Sequence, residues 1–380
     1  MNRILFIGHE AGRSGAPIVL LYYLQWLKEK RPDYKPDLLL LSGGDLEEEY
    51  RKVADVYLLP KENHPNVFQR GIARLKKKAK IKIEPRLSAP FDRNYDVVLG
   101  NTIVSLEYLK FFKRKGSHTI CWLHELEYVV KLFSERKFIE LSEHTDQFIA
   151  VSKAVENMLG QLGIKKKTQL VYEFSKADLT VNEDVEIVKD ELGIPPNAFI
   201  VGGSGTIEWR KGVDLFLQIA SQLTARNEDV YFVWVGGKSA HSDVEYNQFQ
   251  YDYKRLGLEK RLIVTGMRED PRRIYAAMDL FALTSREDPF PLVCLEAASL
   301  GKPIICFEKA GGIPELVEAD AGAVVAYGDI NAFCEKIIYF YNHRQELFRA
   351  GQTAREKVNS RFSAEKSCQN IDAILAEFTG

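Results

Sequence analysis

The chain of 380 residues has little cysteine and no excess of charge of either sign. Its five cysteines are scattered and form no Cys-x-x-Cys pair, which argues against structural zinc and favours a reduced, cytoplasmic protein. Lysine and arginine number 52 against 53 acids, so the net charge of −1 gives no general attraction to nucleic acid or membranes. No apolar run approaches the roughly 18 residues of a spanning helix. The first strand-like segment also reaches charge too early for a signal peptide.

What the chain has instead is length and a regular alternation of elements. A length of 380 residues is too great for one ordinary core and suits two α/β domains. Short apolar runs alternate with segments of helical periodicity, such as Ala16–Lys30, which predicts parallel sheets covered by helices on both faces. The apolar density drops between Glu173 and Asn197, and we place the domain boundary inside this segment.

The stretch Asp279–Glu315 is the most informative part of the sequence. Its pattern predicts a strand, a polar loop, a helix, a second strand and a Gly-rich loop. Pro291 suits the first position of that helix, because its missing N–H would have no partner there. The resulting βαβ unit brings two carboxylates, Asp288 and Glu296, to the sheet edge where open α/β sheets bind ligands.

This stretch resembles the donor-site motif of retaining glycosyltransferases of family 4, whose fold is GT-B. Their usual pattern is Glu-Gly-Phe-Gly-Leu-Val-x-Leu-Glu-Ala, and residues 288–297 stand here as Asp-Pro-Phe-Pro-Leu-Val-Cys-Leu-Glu-Ala. The first acid is an aspartate, with Glu287 beside it as an alternative, and both loop glycines are prolines. The resemblance implies an α/β protein of two Rossmann-like parallel-sheet domains facing a central cleft. Residues 1–176 would form the acceptor-side domain and 177–361 the donor domain, with a C-terminal helix at 362–380 returning to the first.

The resemblance also implies an activity. The chain would be a retaining, metal-independent glycosyltransferase of the hexosyltransferase type, acting in bacterial polysaccharide or envelope glycan synthesis. It would move a sugar from a nucleoside-diphosphate sugar to an acceptor, with no cofactor beyond that donor substrate; the sequence contains no Asp-x-Asp motif. By the same resemblance the motif supplies several donor-binding residues: Asp288, Phe290, Pro291, Leu292, Val293 and Glu296.

A Gly-rich turn, Gly203–Gly212, follows the first strand of the second half. A diphosphate needs fixed positive charge, which Arg210 and Lys211 provide beside a helix start. Family members usually have Gly-Arg-Leu followed by a Lys-Gly pair; Lys211 matches that pair, but Thr206 stands where the arginine is expected. We therefore assign Gly205, Arg210 and Lys211 to the donor site, with Lys211 also meeting leaving-group charge. The alternative is a helix start that carries two exposed basic residues.

In the first half, His124 ends a predicted strand within Cys121–Glu127. In related enzymes a histidine at such a strand end faces the sugar, so the resemblance makes His124 catalytic together with Asp288 and Lys211. The alternative is a histidine that caps a helix or contacts backbone. Glu125 and Glu127 are interpreted as helix-start acids that interact with the helix dipole.

Three further loops match the family more weakly. Gly12–Pro17 opens the first helix, where Gly15 and free N–H groups suit an anion. Met267 and Arg268 follow a strand at the position where the family holds the base, largely through backbone atoms. Gly311–Glu315 matches a loop that approaches the donor sugar. For the first and third loops, a plain turn into a helix remains the alternative.

A basic segment, 68–83, has an apolar stripe at helical spacing. Between Arg70 and Arg86 there are eight lysines or arginines and a single acid. Such a helix binds anionic lipid, which predicts a peripheral position at the inner face of the plasma membrane; the alternative is an ordinary surface helix. The expected partners are a nucleotide-sugar donor, a glycan or lipid-linked acceptor and this membrane surface. Nucleic acid is not expected, because no nucleic-acid-binding module accompanies the basic residues.

Two other functions stay open at this stage. A nucleotide-sugar 2-epimerase shares the fold and binds the same donor. A catalytically silent sugar-nucleotide-binding relative is the non-enzyme alternative, suggested by Asp288, Pro289, Pro291 and Thr206, which depart from the family pattern.

Overall fold

The computed structural model describes residues 3–59, 93–175, 185–226, 229–238 and 242–378. The basic segment 68–83 lies outside these ranges. The chain divides into two compact units. Unit 1 comprises Met1–Ala150, Leu159–Val171 and Cys368–Gly380, and unit 2 comprises Val151–Met158 and Tyr172–Ser367. The domain boundaries expected from the sequence stay a prediction.

Unit 1 is built on a parallel sheet that has seven strands in the described part of the chain. In chain order the strands are β1 Ile4–Gly8, β2 Asp37–Leu40, β3 Asp55–Leu58, β4 Val97–Asn101, β5 His118–Leu123, β6 Gln147–Ala150 and β7 Lys167–Leu170. Their spatial order is β3-β2-β1-β4-β5-β6-β7. Every residue of β1 and β4 is buried, as expected for central strands covered on both faces.

Helices cover this sheet with apolar faces. In the first one Val19, Leu20, Leu24 and Leu27 are buried at helical spacing. The α-helices with residues in unit 1 are Gly15–Lys30, Glu47–Val53, Leu106–Arg114, Glu127–Phe133, Glu135–Glu143, Lys153–Gln161 and Ala364–Ala376. A 3-10 turn, Ile103–Ser105, directly precedes the helix Leu106–Arg114.

The sequence pattern near 127–142 predicts a single helix, and this prediction is wrong. Two helices, Glu127–Phe133 and Glu135–Glu143, meet at Ser134, whose φ is 99°. A residue in that conformation cannot continue an α-helix. No glycine or proline marks the break between the two helices.

Unit 2 repeats the architecture with six parallel strands among its described residues. They are β8 Phe199–Ser204, β9 Val230–Val235, β10 Leu262–Val264, β11 Leu280–Leu283, β12 Ile304–Phe307 and β13 Gly322–Val325, in the spatial order β10-β9-β8-β11-β12-β13. Phe216 packs edge-on against Phe232 and Trp234 in the core on one face, with ring centroids 5.7 and 5.1 Å apart.

The helices of unit 2 include two that sequence periodicity did not predict. In Asp243–Arg255 Phe249 is buried and most of the rest faces solvent, so an apolar stripe is missing. Pro271–Ala277 is only two turns long. The others are Val185–Glu191, Val213–Thr224, Leu292–Ser299, Pro314–Val317, Ile330–Asn342 and Arg344–Arg361, with a 3-10 turn at Trp209–Lys211.

Each sheet has one place where the strand order reverses. In unit 1 the strands after β1 first run to one side, β2 and β3, and then to the other, β4 to β7. In unit 2 β9 and β10 lie on one side of β8, and β11 to β13 lie on the other. Open α/β sheets bind ligands outside the carboxyl ends of the strands at this reversal. The loops after β1, β4, β8 and β11 are therefore the places to look for chemistry.

The cysteines serve the core. All five are buried free thiols. Burial raises the pKa of the Cys121 and Cys294 thiols well above the usual value, which makes both poor nucleophiles at neutral pH. No helix in the described ranges is long and apolar enough to cross a bilayer.

Candidate functional site

Lys211 and Asp288 form an ion pair, largely shielded from solvent, in the loops that follow β8 and β11. Lys211 Nζ lies 2.5 Å from Asp288 Oδ2, and the two side chains are 17% and 7% exposed. Ser285 Oγ donates to the same carboxylate oxygen at 3.4 Å. The lysine of one predicted motif and the first acid of the other are therefore in direct contact. A buried charge is tolerated where it is paired and hydrogen-bonded in this way.

Glycine geometry sets the position of Lys211. Trp209–Lys211 form one 3-10 turn, and Gly212 then adopts the left-handed conformation with φ 64°. A Cβ at Gly212 would lie 1.9 Å from the Thr284 carbonyl oxygen. Only glycine allows this approach, so the Lys-Gly pair presses the basic turn onto the end of β11, next to the loop that carries Asp288.

Arg210 and Arg286 tie the basic turn to that loop. Arg210 donates to Glu208 Oε1 at 3.0 Å and to the Glu287 carbonyl at 3.1 Å, and its NH1 lies 3.9 Å from Asp288 Oδ1. Arg286 makes two bonds of 2.7 Å to the Asp214 carboxylate and a third of 2.7 Å to the Trp209 carbonyl. Its guanidinium also lies 4.9 Å from the Trp209 ring centroid. Sequence reasoning missed Arg286, because its partners are more than 70 positions away.

The loop around Asp288 is fixed through backbone atoms. Asp288 N donates to the Ala310 carbonyl at 2.7 Å, and Gly312 N donates to the Pro289 carbonyl at 3.0 Å. Gly311 has φ 137°, and a Cβ there would lie 1.7 Å from the Asp288 carbonyl oxygen. The Gly-rich loop after β12 therefore packs directly on the acid. Pro291 precedes the helix as its N-cap, one position before the first helical residue that was predicted for it.

Phe290 and Leu292 are packed into unit 2. The Phe290 ring is 2% exposed and lies between Tyr172 and Phe362, with centroids 5.4 and 5.3 Å apart. Leu292 is also buried, while Val293 is half-buried. These side chains hold the donor-motif loop in place by apolar packing. The polar groups that this loop can offer to a ligand are therefore its backbone atoms and its charged side chains.

Glu296, the second acid of the motif, lies in the helix Leu292–Ser299 and is 14% exposed. Arg272 NH2 is 3.2 Å from its Oε1. Burial raises the pKa of Glu296, and the charge and hydrogen bond of Arg272 oppose that rise. The residue combines a buried carboxylate with one half-exposed cation, which suits a group that holds hydroxyls.

Glu315 closes the Gly-rich loop. It accepts from the backbone N–H groups of Lys153 and Ala154 at 3.2 and 3.3 Å, and from Tyr172 Oη at 2.9 Å. Burial raises the pKa of Glu315, while these hydrogen bonds oppose that rise. The predicted sugar-approaching loop therefore ends on the first turn of the helix Lys153–Gln161.

The predicted base site consists mainly of backbone. Gly236 N donates to the Gly266 carbonyl at 3.0 Å, and a Cβ on Gly236 would lie 2.0 Å from the Gly205 carbonyl oxygen. Gly205 itself has φ 149°. Met267 is 74% exposed, and Arg268 donates to Asp270 at 2.9 Å on the surface. The loops after β8, β9 and β10 thus approach one another through their glycines.

In unit 1, three polar side chains lie at the carboxyl ends of β1, β4 and β5. His124 Nε2 is 2.7 Å from Asn101 Oδ1, and Asn101 Nδ2 donates to the Ala16 carbonyl at 2.9 Å. The pKa of the His9 imidazole is lowered, mainly by burial and further by the nearby His124. Glu10 and a hydrogen bond with the Asn101 backbone oppose this shift. His9 and Asn101 were not singled out from the sequence, although both follow or end a strand of the same sheet as His124.

The neighbouring acids have separate roles. Glu125 accepts from the backbone N–H groups of Ile103 and His124 at 3.2 and 3.0 Å, so it caps the 3-10 turn after β4. Its prediction as an acid at the start of the next helix is wrong; Glu127 does lie in the first turn of that helix. Gly15 begins the first helix, and a Cβ there would meet no described atom within 4 Å, so the fold itself does not require that glycine.

Comparison with known proteins gives this geometry a family context. Residues 184–357, just under half of the chain, match the family model described as "Glycosyl transferases group 1". The capsular polysaccharide biosynthesis glycosyltransferase CapM of Staphylococcus aureus is 24% identical over 72% of this chain and 68% of its own length. The alpha-galactosylglucosyldiacylglycerol synthase of Streptococcus pneumoniae is 29% identical over 55% of this chain and 59% of its own length.

A solved structure matches nearly the whole chain. Anabaena Alr3699/HepE in complex with UDP and glucose superposes with a TM-score of 0.81 at 22% identity, covering 99% of this chain and all of the other. The same protein is also solved with UDP-glucose, at a TM-score of 0.79. The two parallel-sheet units and these neighbours show that the chain has the GT-B fold, and its residues 184–357 carry the match to the group 1 glycosyl transferases.

Proposed function

We propose that this chain is a retaining glycosyltransferase of family 4, which moves a sugar from a nucleoside-diphosphate sugar to a glycan or lipid-linked acceptor. The observation that carries the proposal is the cation-and-acid pair Lys211–Asp288. It lies at the strand-order reversal of unit 2, within the segment that matches the group 1 family. A leaving diphosphate develops negative charge, and a preorganised ammonium beside a Gly-rich turn stabilises it.

The roles of the other residues follow from their chemistry. Arg210 lies 3.9 Å from Asp288 and holds the turn that presents Lys211. Glu296 is proposed to accept hydrogen bonds from ribose hydroxyls, and the backbone around Gly266 and Met267 to hold the base. In unit 1, His124 is proposed to contact the sugar that is transferred.

For the donor we propose a uridine-diphosphate sugar. HepE, which shares the fold over the whole chain, is solved with UDP and with UDP-glucose. The curated relatives are named for capsular polysaccharide biosynthesis and for the synthesis of alpha-galactosylglucosyldiacylglycerol, a glycolipid, and this supports an acceptor of the cell envelope. Because these relatives are aligned over only 59–68% of their own lengths, the acceptor class belongs to the proposal.

The proposal includes catalysis without a metal ion. We propose Lys211, with Arg210 close by, as the cation that meets the diphosphate, so that the positive charge would come from the chain itself. Transfer is therefore expected to persist in excess EDTA. A complete loss of transfer that Mg²⁺ or Mn²⁺ restores would refute this part alone.

A labelled nucleotide-sugar panel, with and without an acceptor mixture of envelope lipids and glycans, tests the function. We expect UDP release that depends on acceptor, and a product whose anomeric configuration is that of the donor. Conversion of the donor sugar without acceptor would identify a 2-epimerase instead. Nucleotide-sugar binding without turnover across the panel would identify a silent relative. The Lys211→Met variant is the control, since it keeps unit 1 intact and removes the proposed diphosphate cation.

A further inference from the structure

Asn101 is the one side chain at the end of β4 that connects two other functional elements. Its Oδ1 lies 2.7 Å from His124 Nε2, after β5. Its Nδ2 donates at 2.9 Å to the carbonyl of Ala16, in the first turn of the helix Gly15–Lys30. Asn101 itself is fully buried. One amide therefore links the proposed catalytic histidine to the helix that follows the Gly-rich loop of unit 1.

The chemistry of these two bonds fixes the orientation of the amide. A backbone carbonyl only accepts, so the group that faces Ala16 must be the NH2 of Asn101. The opposite orientation would place two acceptor oxygens 2.9 Å apart. The amide oxygen must therefore face His124.

The orientation of the amide in turn fixes the imidazole. Because the Asn101 oxygen only accepts, His124 must carry a proton on Nε2 to bond at 2.7 Å. In the neutral ring the lone pair is then on Nδ1. We propose that Asn101 is a positioning residue, which holds His124 in the Nε2–H form and so makes Nδ1 the nitrogen that accepts a proton or a hydrogen bond.

Two further contacts hold this arrangement rigid. Glu125 accepts from the backbone N–H of His124 at 3.0 Å and from that of Ile103 at 3.2 Å, which ties the end of β5 to the turn after β4. Thr102, directly after Asn101, has φ 120°, a conformation that costs free energy for a β-branched residue. Strain of this kind persists only where the surrounding structure over-determines it, and it lies here beside the residue that sets the imidazole.

A second imidazole, His9, lies close to His124. It follows β1, and its Nδ1 is buried without a hydrogen-bond partner in the described part of the chain. Burial lowers the pKa of His9, and the neighbouring His124 lowers it further, which shows that the two rings interact. The catalytic value of the Nε2–H tautomer of His124 rests on the proposed function, whereas the tautomer itself follows from the two bonds of Asn101.

Nitrogen-15 NMR of the wild-type chain at pH 7.5, labelled at histidine, tests the tautomer without any assay of activity. His124 is expected to show a protonated Nε2 and an unprotonated Nδ1. His343 is the internal control, because its Nδ1 lies 2.8 Å from the Tyr339 carbonyl and must therefore carry the proton, which is the opposite tautomer. A His124 ring protonated on Nδ1, or on both nitrogens, at this pH would overturn the proposal.

Variants of Asn101 test the positioning role. Asn101→Ala removes the acceptor and is expected to give mixed His124 tautomers and a fall in kcat of about tenfold, the size of one lost orienting hydrogen bond, with UDP affinity unchanged. Asn101→Asp keeps an oxygen that accepts from Nε2–H, so it should keep a proton on Nε2 and recover part of kcat, although its second oxygen cannot donate to the Ala16 carbonyl. Asn331→Ala, an exposed asparagine of unit 2, is the matched control and should leave both unchanged.

The outcomes separate the two levels of the claim. Equal kcat for Asn101→Ala and wild type would refute the positioning role, even where the tautomer is as expected. If Asn101→Ala does not fold, Asn101→Asp carries the test, and a His124 ring without a proton on Nε2 in that folded variant refutes the inference. A wild-type chain without transferase activity that still shows Nε2–H in His124 would refute the proposed function and leave the tautomer assignment intact.

Discussion

Breaking the Lys211–Asp288 pair from either side should have opposite effects on nucleotide binding. Asp288 is buried, the Lys211 side chain is 17% exposed, and Nζ lies 2.5 Å from Oδ2. Removing one partner of a buried pair leaves an uncompensated charge and costs about 3–5 kcal/mol of unfolding free energy. We therefore expect Lys211→Met and Asp288→Asn each to destabilise the chain. The double variant should lose less than the sum of the two, because no charge is left unpaired.

Measurements of UDP affinity distinguish the roles of Lys211 and Asp288. A diphosphate must take Lys211 from Asp288, so the acid competes with the nucleotide for one ammonium group. Lys211→Met should weaken UDP by about 1.5–3 kcal/mol, the contribution of one charge-assisted contact, which is roughly tenfold to hundredfold in Kd. Asp288→Asn should bind UDP as tightly as wild type or more tightly, because Lys211 no longer has a charged partner in the protein, while turnover falls.

Isothermal titration calorimetry at a temperature where each variant is folded measures this difference, with denaturant unfolding of the same samples for stability. Lys302→Met is the matched control. It removes another lysine of unit 2, whose Nζ donates to the Ala276 carbonyl at 2.7 Å, and should leave UDP affinity unchanged. Wild-type affinity in Lys211→Met would remove this lysine from the diphosphate site. A loss in Asp288→Asn as large as in Lys211→Met would refute the competition.

Four further outcomes are expected. His124→Ala should reduce kcat far more than UDP affinity, and equal losses in kinetics and calorimetry would mean a general disturbance of the site. Glu296→Gln should weaken the binding of UDP about tenfold. Because the folded pKa of Glu296 is raised from 4.5, the contribution of this group to the stability of the chain declines as pH rises above that value. Thermal unfolding of Glu296→Gln should lack this decline. The folded pKa of His9 is lowered from 6.5, so the wild type should lose stability as pH falls through that value, and His9→Gln should lose less. The chain should cosediment with anionic but not with neutral liposomes, because the basic segment 68–83 is expected to bind anionic lipid. This binding should be lost when four lysines of the segment are replaced by glutamate: Lys76, Lys77, Lys78 and Lys80.

The sequence was sufficient for the architecture because parallel sheets leave a strong pattern. Strands buried on both faces are short continuous apolar runs, and the run at Leu280–Leu283 predicts β11, which is buried along its whole length and has these bounds. Strand ends are predicted less accurately: the apolar pattern predicts a strand at Tyr95–Leu99, whereas β4 lies at Val97–Asn101. That shift of two residues hid Asn101, which the expected strand did not include.

The site was predictable where one motif carries it and not where distant loops meet. Lys211 and Asp288 each stood out within a local pattern, but their contact across 77 positions depends on the pairing of β8 with β11. Arg286 had no signal, since its bonds to Asp214 and Trp209 arise only when the loop after β11 folds over the basic turn. Local patterns identify residue types that suit a chemistry, and sheet topology decides which of them touch.

The departures from the family pattern redistribute interactions within the site. Proline at 289 and 291 removes two N–H groups, yet Asp288 still donates its own N–H to Ala310, and Gly311 supplies the close backbone approach. Thr206 replaces an expected arginine, while Arg210 lies 3.9 Å from Asp288 and Lys211 contacts the acid directly. A silent relative would be expected to lose either the cation or the acid once selection for turnover ends. Both are present here, paired and largely shielded from solvent, at a cost in desolvation that a purely structural loop does not require. That cost favours a chain in which the pair is kept for the diphosphate.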